Sequence, residues 1–456
     1  MNVLYRKTRG VEAVHRDRPL LSTGADGFVA LDETLLSLWH AADGKSLDDV
    51  LSSFRAGDVP GDLVRAGLAC LAEAGFLKRE GAATAVPGSD VRIGRGGLVS
   101  AIVPITSLKE RDWLGDCLDS LSAQTYGEIE VLVVDNATTF GLSEWLRAEH
   151  PRVGILRQEK MSPFATALNA GASRSRGDHI LFLNPDLKLR PRAVAEMVAA
   201  AERDPRCGAV AAKLKFWWAP NFLNGIGNRV RDFGWGTDNG IGHLDLGQFD
   251  GWQEAPSACF AAALIPRGAW EAVGPVDEGF QLYYEDTEWC YRARLLGWTV
   301  RAAPKAEVLH IFGGWVREPG RSGGLTPWKI RNAVYGRLRF ATKILGPDLL
   351  RRFRRNYLRE DIRNLAGAAK RLKAAEAAAY ARAWSKAIRD LPRIRRERRD
   401  LQGRRACSDA VLFGAESDMP PLLMWRDLPE LTWEIVAADY LPHILAGRTR
   451  PMPEFK

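Results

Sequence analysis

The sequence lacks the features that mark a membrane-spanning, secreted or disulfide-rich protein. Among its 456 residues, no apolar run approaches the roughly 18 residues that a transmembrane helix needs. The first residues, Met1 to Lys7, lack the apolar core of a signal peptide. The six cysteines are scattered without a CxxC pair, so buried, reduced thiols are expected rather than disulfides or a zinc site. These absences predict a cytoplasmic protein, and its length predicts two or three domains.

Positive charge is concentrated near the C-terminus. Residues 321–456 hold 29 Lys and Arg against 15 Asp and Glu, whereas the whole chain has a net charge of +8. Apolar periodicity there predicts a helical region with helices at Pro327–Ile344, Leu349–Asn356 and Asp361–Leu391, and the basic run Arg393–Arg399 continues the last one. Such a run is typical of a solvated helix face, and the alternative is peripheral contact with anionic lipid at the inner face of the membrane. Nucleic-acid binding is not expected, because no nucleic-acid-binding fold accompanies the charge.

Residues 1–82 are predicted to form a small separate domain. Three helical patterns follow one another, the second capped by Ser46, and a strand follows the third. This order predicts a winged-helix module. Its sequence resembles the PqqD-like peptide-binding domains in four segments, Ala30–Asp32, Leu38–Trp39, Asp43–Gly44 and Leu71–Phe76. The resemblance implies that a peptide binds by strand addition at a sheet edge, and a packing or dimerisation module is the alternative.

After a linker at residues 83–97, the chain alternates between strand and helix patterns over residues 98–320. This regularity predicts an α/β domain with a doubly wound parallel sheet. Asp135, Asp186 and Asp286 stand at strand ends or helix starts, and His310 ends the last predicted strand. Because open α/β sheets bind ligands at the carboxyl ends of their strands, these four side chains are candidates for one site.

One segment of this domain, residues 216–252, is rich in both aromatic residues and glycine and shows no periodicity. Aromatic rings on such a segment are suited to stacking on sugar faces or acceptor groups. This interpretation makes Trp252 a candidate acceptor-binding residue. The alternative is a loop that its own aromatic residues pin to the domain.

Five segments in order resemble the family 2 glycosyltransferases, closest to the rhamnosyltransferase-like members. They are Ser100–Pro104 (SAIVP), Cys117–Tyr126 (CLDSLSAQTY), Ile129–Ala137 (IEVLVVDNA), Arg176–Asp186 (RGDHILFLNPD) and Gly274–Arg292 (GPVDEGFQLYYEDTEWCYR). The resemblance implies a GT-A fold over residues 98–320, between the winged-helix module and the helical region. It also implies a nucleotide-diphosphate sugar as the donor.

The resemblance also implies roles for individual residues. The donor-binding residues would be Pro104, Ile105, Thr106, Asp135, Asn169, Asn184 and Asp186. Asp186 and His310 would hold a divalent cation, Mn²⁺ or Mg²⁺, which suits hard oxygen ligands. Asp286 would be the general base of a single displacement with inversion, and Glu285 would help to position the acceptor.

The sequence departs from the family pattern around the donor pocket. Ile105-Thr106-Ser107 replaces the usual Thr-Tyr-Asn, so the stacking tyrosine is absent, and Met161–Phe164 replaces Asn-x-Gly-Phe. The prediction is an inverting, metal-dependent glycosyltransferase, for example in polysaccharide biosynthesis, whose acceptor is a glycan, a lipid-linked molecule or a peptide. The alternatives are a peptide-binding scaffold without catalysis and a sugar nucleotidyltransferase. The latter normally opens with a glycine-rich phosphate loop, and Ile102–Lys109 contains no glycine.

Overall fold

The computed structural model describes residues 4–15, 19–22, 28–54, 59–80, 96–230, 234, 236–312, 326–414 and 430–441. The strands are β1 (Leu4–Lys7), β2 (Glu12–His15), β3 (Pro19–Ser22), β4 (Phe28–Leu31), β5 (Lys45–Ser46), β6 (Leu77–Glu80), β7 (Val99–Ile105), β8 (Ile129–Asp135), β9 (Gly154–Arg157), β10 (His179–Leu183), β11 (Leu187–Leu189), β12 (Cys207–Phe216), β13 (Ala219–Ile226), β14 (Asn228–Val230), β15 (Gly236–Asp238), β16 (Ala262–Pro266), β17 (Thr299–His310) and β18 (Glu430–Leu431).

The helices are α1 (Glu33–Ala42), α2 (Leu47–Ser53), α3 (Gly61–Glu73), α4 (Lys109–Ser122), α5 (Leu142–Glu149), α6 (Phe164–Arg174), α7 (Ala193–Glu202), α8 (Arg267–Val273), α9 (Glu285–Leu295), α10 (Pro327–Ile344), α11 (Pro347–Lys370), α12 (Ala374–Gly403), α13 (Asp409–Gly414) and α14 (Trp433–Ile435), and a π-helical turn follows at Val436–Tyr440. Within the described part of the chain, none of these helices combines the length and the apolar character that a membrane crossing requires.

A nine-stranded sheet forms the centre of the molecule. Its order is β11-β17-β12-β16-β10-β7-β8-β9, with β13 paired to β12. Strands β10, β7, β8 and β9 are parallel to one another, and β12 is parallel to β17. Strand β16 runs antiparallel to both β10 and β12, β11 runs antiparallel to β17, and β13 runs antiparallel to β12. The prediction of a parallel sheet is therefore wrong for β16, β11 and β13 and holds for β12 and β17. The chain reaches β16 through β13–β15 and an irregular segment rather than through a crossover helix, and a parallel strand needs such a crossover.

Helices cover both faces of this sheet. Alternate residues of β10 show the arrangement, because Leu181 and Leu183 belong to the core beneath α4 and α7, and Ile180 and Phe182 belong to the core beneath α6 and α8. The period of two along a buried strand places successive side chains in opposite layers. The predicted α/β class is confirmed, and the strand β10 that precedes Asp186 lies at the centre of the sheet.

The N-terminal module contains α1–α3 and two small sheets, β5-β1-β6 and β18-β4-β3-β2. Ser46 and Asp49 form a capping box at the start of α2, where the sequence predicted an N-cap. The three helices and the following strand β6 lie where they were predicted, whereas β3 and β4 were missed. Strand β18, from the C-terminal part of the chain, pairs in parallel with β4. The β4 edge of this sheet is therefore already occupied.

Residues 216–252 pack mainly inward. Trp218 and Phe222 lie in a hydrophobic core shared with the N-terminal module, and Phe249 lies in the core beneath α6 and α8. The alternative interpretation, a loop pinned by its aromatic residues, therefore holds for these rings. The predicted positions Phe233 and Trp235 lie outside the described residues.

The helical C-terminal region is confirmed, although one helix boundary was misplaced. Helix α11 continues to Lys370, whereas the sequence predicted a break near residues 357–360. Tyr357 and Asp361 are buried within it, and Asp361 forms an ion pair with the buried Arg337 of α10. These tertiary contacts favour an unbroken helix over a stretch whose sequence is only weakly periodic. The break occurs instead at Leu372, which has a φ of 56°.

A buried ion-pair network joins α10 to the α/β domain. Arg339 binds Asp277 and, at 2.6 Å, Glu397 of α12. Lys343 lies 2.5 Å from Asp277 and 2.7 Å from Glu288 of α9. Although burial alone would raise the pKa of Asp277, the ammonium of Lys343 and the guanidinium of Arg339 hold it well below its usual value. This network fixes α10 against the start of α9, where Glu285 and Asp286 lie.

Candidate active site

Asp186 and His310 meet where β10 gives way to β11. Strand β11 pairs with β17 so that Leu187 is opposite His310, and the amide of Ile311 donates to the carbonyl of Asp186 at 3.0 Å. This short ladder brings Nε2 of His310 to 3.4 Å from Oδ1 of Asp186. Both side chains are buried. The structure thus places together the two residues that the sequence proposed as metal ligands.

A second contact orients the imidazole. Nδ1 of His310 lies 2.7 Å from the amide oxygen Oδ1 of Asn224, on the neighbouring strand β13. Because that oxygen can only accept, Nδ1 donates to it, and Nε2 is the nitrogen that faces Asp186 and can bind a cation when the ring is neutral. An imidazole held in this tautomer by an outer partner is the usual arrangement of a metal-binding histidine.

The pair has the separation expected of two ligands of one cation. Two atoms about 2.1 Å from a common ion are about 3.0–3.4 Å apart when they subtend an angle near 90–110°. Among the described residues, no group of three or more His, Cys, Asp or Glu side chains is arranged to hold a metal. Asp186 and His310 therefore fit a cation whose remaining ligands are donor phosphate oxygens and water, which is how Mg²⁺ is commonly bound.

Glu285 and Asp286 begin helix α9 after a strained turn. Tyr283 and Tyr284 both have left-handed backbones, with φ of 68° and 72°. Such conformations cost free energy in residues other than glycine and concentrate at functional sites. Gly336 on α10 leaves room for this turn. A Cβ at that position would lie 3.0 Å from Cδ2 of Tyr284, which is closer than side chains normally pack.

Protein donors fix the carboxylate of Asp286. Its Oδ2 accepts from Nδ2 of Asn228 at 3.1 Å and from the amide of Phe260 at 3.4 Å, and its Oδ1 accepts from the amide of Thr287 at 2.6 Å. Burial raises the pKa of Asp286, and these hydrogen bonds only partly oppose the rise. A carboxylate with a raised pKa is a stronger base than an exposed one, as general-base catalysis requires.

Glu285 differs from Asp286 in its hydrogen bonding. Its Oε2 is buried and has no hydrogen-bond partner among the described residues. Burial, and then the charge of Asp286, raise the pKa of Glu285. A buried oxygen without a partner is costly in isolation, so this atom is suited to receive a hydroxyl of a bound molecule.

Asp238 is a third carboxylate in this group, and sequence reasoning missed it. It lies opposite Asn228 in the β14–β15 ladder. The hydroxyl of Tyr284 holds the start of this ladder, because it donates to the carbonyl of Gly234 and accepts from the amide of Gly236 at 2.9 Å. Desolvation, and then the negative charge of Asp286, raise the pKa of Asp238 to about 7, while His310 opposes the rise.

Asp238 is therefore within electrostatic range of both the Asp286 carboxylate and the Asp186–His310 pair. An acidic residue within an aromatic, glycine-rich segment was the only sequence signal for it, because a three-residue ladder leaves no periodic pattern. The structure thus links four carboxylates, those of Asp186, Asp238, Glu285 and Asp286, and the imidazole of His310 through pairwise contacts and charge interactions.

The predicted donor-binding residues at the ends of β7 and β8 lie side by side. Ile105 pairs with Asp135 in the parallel ladder, and Pro104 precedes it within buried β7. The amide and hydroxyl of Thr106 donate to the carboxylate of Glu110, at 2.7 Å and 3.1 Å. These residues line the carboxyl edge of the sheet, where β7 lies one strand spacing (roughly 5 Å) and β8 two spacings (roughly 10 Å) from β10.

Asp135 is buried and already engaged. Its Oδ1 accepts from the amide of Thr138 at 2.8 Å, and its Oδ2 binds the guanidinium of the half-exposed Arg157. A cavity of about 560 Å³ opens beside this ion pair. Its lining residues are Thr138, Thr139, Gly141, Leu142, Ser143, Glu144, Arg147 and Arg157. The two arginines make this cavity suitable for the polar groups of a nucleotide.

Three other candidate residues are placed differently. Asn169 uses its amide group on the backbone of Val276, accepting and donating at 2.9 Å, so it joins α6 to the turn before α9. The backbone of Asn184 continues beyond β10 and bonds to the carbonyl of Ala261. Trp252 packs edge-on against Phe249. Its neighbours run beside the first residues of β17, at the opposite end of that strand from His310, so the structure does not bring Trp252 to the carboxylate group.

Residues 100–269 match the family model described as Glycosyl transferase family 2. These residues are a family 2 glycosyltransferase domain. The match confirms the predicted family and enzyme class, and the sheet flanked by helices agrees with the predicted GT-A fold class. The PqqD-like identity of the N-terminal module stays a prediction.

Named relatives are similar to the glycosyltransferase domain. An O-antigen biosynthesis protein of Myxococcus xanthus is 31% identical over 229 residues, which are 46% of this chain and 17% of that protein. An N-acetylglucosaminyl-diphospho-decaprenol L-rhamnosyltransferase of Mycobacterium tuberculosis is 26% identical over 219 residues, 42% of this chain and 70% of that protein. The chain spans less than a quarter of the length of two of the curated relatives that it matches.

Among solved structures, this chain is similar to GalNAc-T7 crystallised with UDP, GalNAc and Mn²⁺. The TM-score is 0.48 at 14% identity, and the alignment covers 71% of this chain and 59% of that one.

Proposed function

We propose that the protein is an inverting, metal-dependent glycosyltransferase that moves a sugar from a nucleotide-diphosphate donor to an acceptor hydroxyl. The observation that carries this proposal is that a family 2 domain holds two pairs, Asp186 with His310 and Glu285 with Asp286, and that Asp238 feels the charges of both His310 and Asp286. Metal-ligand chemistry on one side of the group and proton-accepting chemistry on the other are what such a transfer needs.

The donor would lie along the carboxyl edge of the sheet. The cavity beside Asp135 and Arg157 would take the nucleoside, and the diphosphate would extend across β7 toward β10. A cation held by Asp186 and His310 would neutralise the charge that develops on the leaving diphosphate. Asn224 keeps the imidazole in the tautomer that this task requires.

The acceptor would approach from the side of α9. Its hydroxyl oxygen attacks the anomeric carbon opposite the leaving group, the bond from that carbon to the diphosphate oxygen breaks, and the configuration inverts. The hydroxyl proton passes to Asp286, whose raised pKa suits it to accept one. Oε2 of Glu285 would accept a hydrogen bond from a second acceptor group, and this contact would supply its missing partner.

A glycan or lipid-linked acceptor has more support than a peptide. The names of two relatives concern O-antigen biosynthesis and rhamnosyl transfer to a diphospho-decaprenol molecule. Strand addition of a peptide at β4 would first require the displacement of β18. The peptide-binding scaffold and the sugar nucleotidyltransferase are weaker alternatives, because neither accounts for the group formed by Asp186, His310 and Asp286.

The first test is donor binding followed by transfer. A thermal-shift screen of nucleotide-diphosphate sugars with and without Mn²⁺ should find a donor that stabilises the protein only when the metal is present. The Asp286→Asn variant should keep that shift and lose transfer by about 10²–10⁴-fold. The matched Glu285→Gln variant should chiefly raise the KM for the acceptor.

Two results would contradict the proposal. If no nucleotide-diphosphate sugar stabilises the protein in a metal-dependent way, the protein is not a metal-dependent transferase of this kind. Full transfer by Asp286→Asn, together with complete loss in Glu285→Gln, would move the general base to Glu285.

A further inference from the structure

Helix α11 exposes a row of large apolar side chains. Leu358, Ile362 and Leu365 are 49%, 55% and 38% exposed. Their spacing of four and then three residues places them on one face of the helix, one above the other. Single exposed apolar residues are ordinary on protein surfaces, but a contiguous row marks an interaction site.

A basic row lies beside the apolar row. Arg355, Arg359 and Arg363 recur every four residues and are all exposed, so they follow the helix next to Leu358 and Ile362. The acidic Asp361 is on the opposite, buried face, where it binds Arg337. The outer face of α11 therefore combines an apolar row with positive charge.

The basic run that the sequence singled out, residues 393–399 in α12, is less available. Arg398 donates to the carbonyls of Thr342 and Leu345 at 2.7 Å and 2.6 Å, so it caps the end of α10. Glu397 binds Arg339 and Ile394 is buried. Part of this run therefore packs against α10, whereas the basic row of α11 is exposed.

We propose that the outer face of α11 docks on the surface of an anionic phospholipid bilayer. Apolar side chains would enter the boundary between headgroups and acyl chains, and the arginines would meet lipid phosphates, as in helices that lie in a membrane interface. Positive charge along the row is complementary to an anionic leaflet. A second protein copy is a poorer partner, because its own α11 would present the same positive charge.

The buried face of α11 contacts Gly234, which lies just before β15. Buried Tyr357 fills the space next to Gly234, and a Cβ at that glycine would overlap the tyrosine ring. Gly234 is held by Tyr284 and precedes β15, which carries Asp238. A bilayer against α11 would therefore lie one helix diameter, about 10 Å, from the acceptor side of the site. This is the side on which a lipid-linked acceptor would have to arrive.

Vesicle binding tests the proposal without any donor or acceptor, so its outcome is independent of the proposed reaction. The full-length protein should sediment with phosphatidylglycerol vesicles at least about tenfold better than with phosphatidylcholine vesicles, and added salt should weaken the binding. The triple variant R355E/R359E/R363E should lose this preference. A triple reversal of exposed arginines elsewhere, R152E/R203E/R206E, is the matched control and should keep it.

A second pair of variants tests the apolar row. Ile362→Ser should weaken vesicle binding several-fold, whereas Val411→Ser, at an exposed residue of α13, should not. Thermal midpoints would show that each variant is folded. Equal binding of wild type to both kinds of vesicle, or unchanged binding of the α11 triple variant, would overturn the proposal. If the α11 variants differ from the wild-type protein in oligomeric state, measured by size exclusion with light scattering, but not in vesicle binding, the face serves protein association instead.

Discussion

Asp186 directly precedes β11 and His310 ends β17, and the pairing of these two strands leaves Nε2 of the imidazole 3.4 Å from Oδ1 of the carboxylate. Two strands from distant parts of the chain hold this separation, and Asn224 holds the tautomer. The arrangement is rigid because all three side chains are buried. Such a pair can be tested through the metal that it is proposed to bind.

The His310→Ala variant should need more metal than the wild-type protein. Loss of one of two protein ligands should raise the Mn²⁺ concentration that half-saturates donor binding by at least about tenfold. Asn224→Leu, which removes only the outer hydrogen bond, should raise it by about 10–100-fold or less. A titration of the donor-induced thermal shift with Mn²⁺ measures both. If His310→Ala needs the same Mn²⁺ concentration as the wild-type protein, His310 has a structural role and does not bind the metal.

The acidic limb of the pH–rate profile should lie above the ordinary range of an aspartate. Burial raises the pKa of Asp286, so the base is protonated, and transfer is lost, as the pH falls through that raised value. Asp238→Asn removes the group whose pKa burial and the charge of Asp286 raise to about 7, so a part of the limb near that pH that is due to Asp238 should disappear. The measurement is kcat/KM between pH 5 and 9 for both proteins. If the acidic limb is the same in both proteins, Asp238 does not influence the group that accepts the proton.

Gly336→Ala should disturb the Tyr283–Tyr284 turn. A Cβ there would lie 3.0 Å from Cδ2 of Tyr284 and 3.1 Å from the carbonyl oxygen of Tyr283, so the left-handed turn must shift. We expect a lower thermal midpoint and a transfer rate reduced by about tenfold, because small displacements of catalytic groups are costly.

Gly268→Ala is the matched control for this substitution. Gly268 lies in helix α8, and nothing is within 4 Å of a Cβ built there. Alanine has the higher helix propensity, so this variant should be as stable as the wild-type protein or slightly more stable. Equal effects of the two substitutions would mean that the close approach of Gly336 is unimportant.

Asp277→Asn should destabilise the protein at neutral pH. It leaves the buried Arg339 and Lys343 without their shared carboxylate, at a cost of about 3–5 kcal/mol. Because the pKa of Asp277 is lowered in the folded state, its contribution is present above the unfolded value of about 3.9 and is lost as the pH falls below it.

Urea unfolding between pH 7 and pH 3 measures this contribution. The difference between wild type and Asp277→Asn should shrink toward the acidic end. Asp348→Asn is the control, because its ion pair with Arg351 is exposed and should contribute less than about 1 kcal/mol. A difference that stays constant with pH would show that Asp277 acts through packing rather than charge.

The site residues that could be predicted from the sequence are those that lie at the end of a recognisable strand. Asp186 and His310 each follow a buried apolar run, so their meeting at one sheet edge could be expected. Asp238 could not, because β15 is three residues long and depends on the hydroxyl of Tyr284 for its position. The reversal of β16 was equally hidden, because side-chain alternation is the same in either strand direction.

Segment 430–441 also determines when the N-terminal module can complete its folding during synthesis. Asp32 caps α1 through the amide of Leu35 and also accepts from the amide of Trp433, and Leu244 donates its amide to the hydroxyl of Tyr440 at 2.7 Å. The N-terminal module precedes segment 430–441 in the chain, so it completes its second sheet and its core only after residues 98–414 have been made. Contacts over such sequence separations form slowly. A nascent chain would therefore expose the β4 edge and apolar surface of the module until segment 430–441 has been made, and such surfaces favour aggregation.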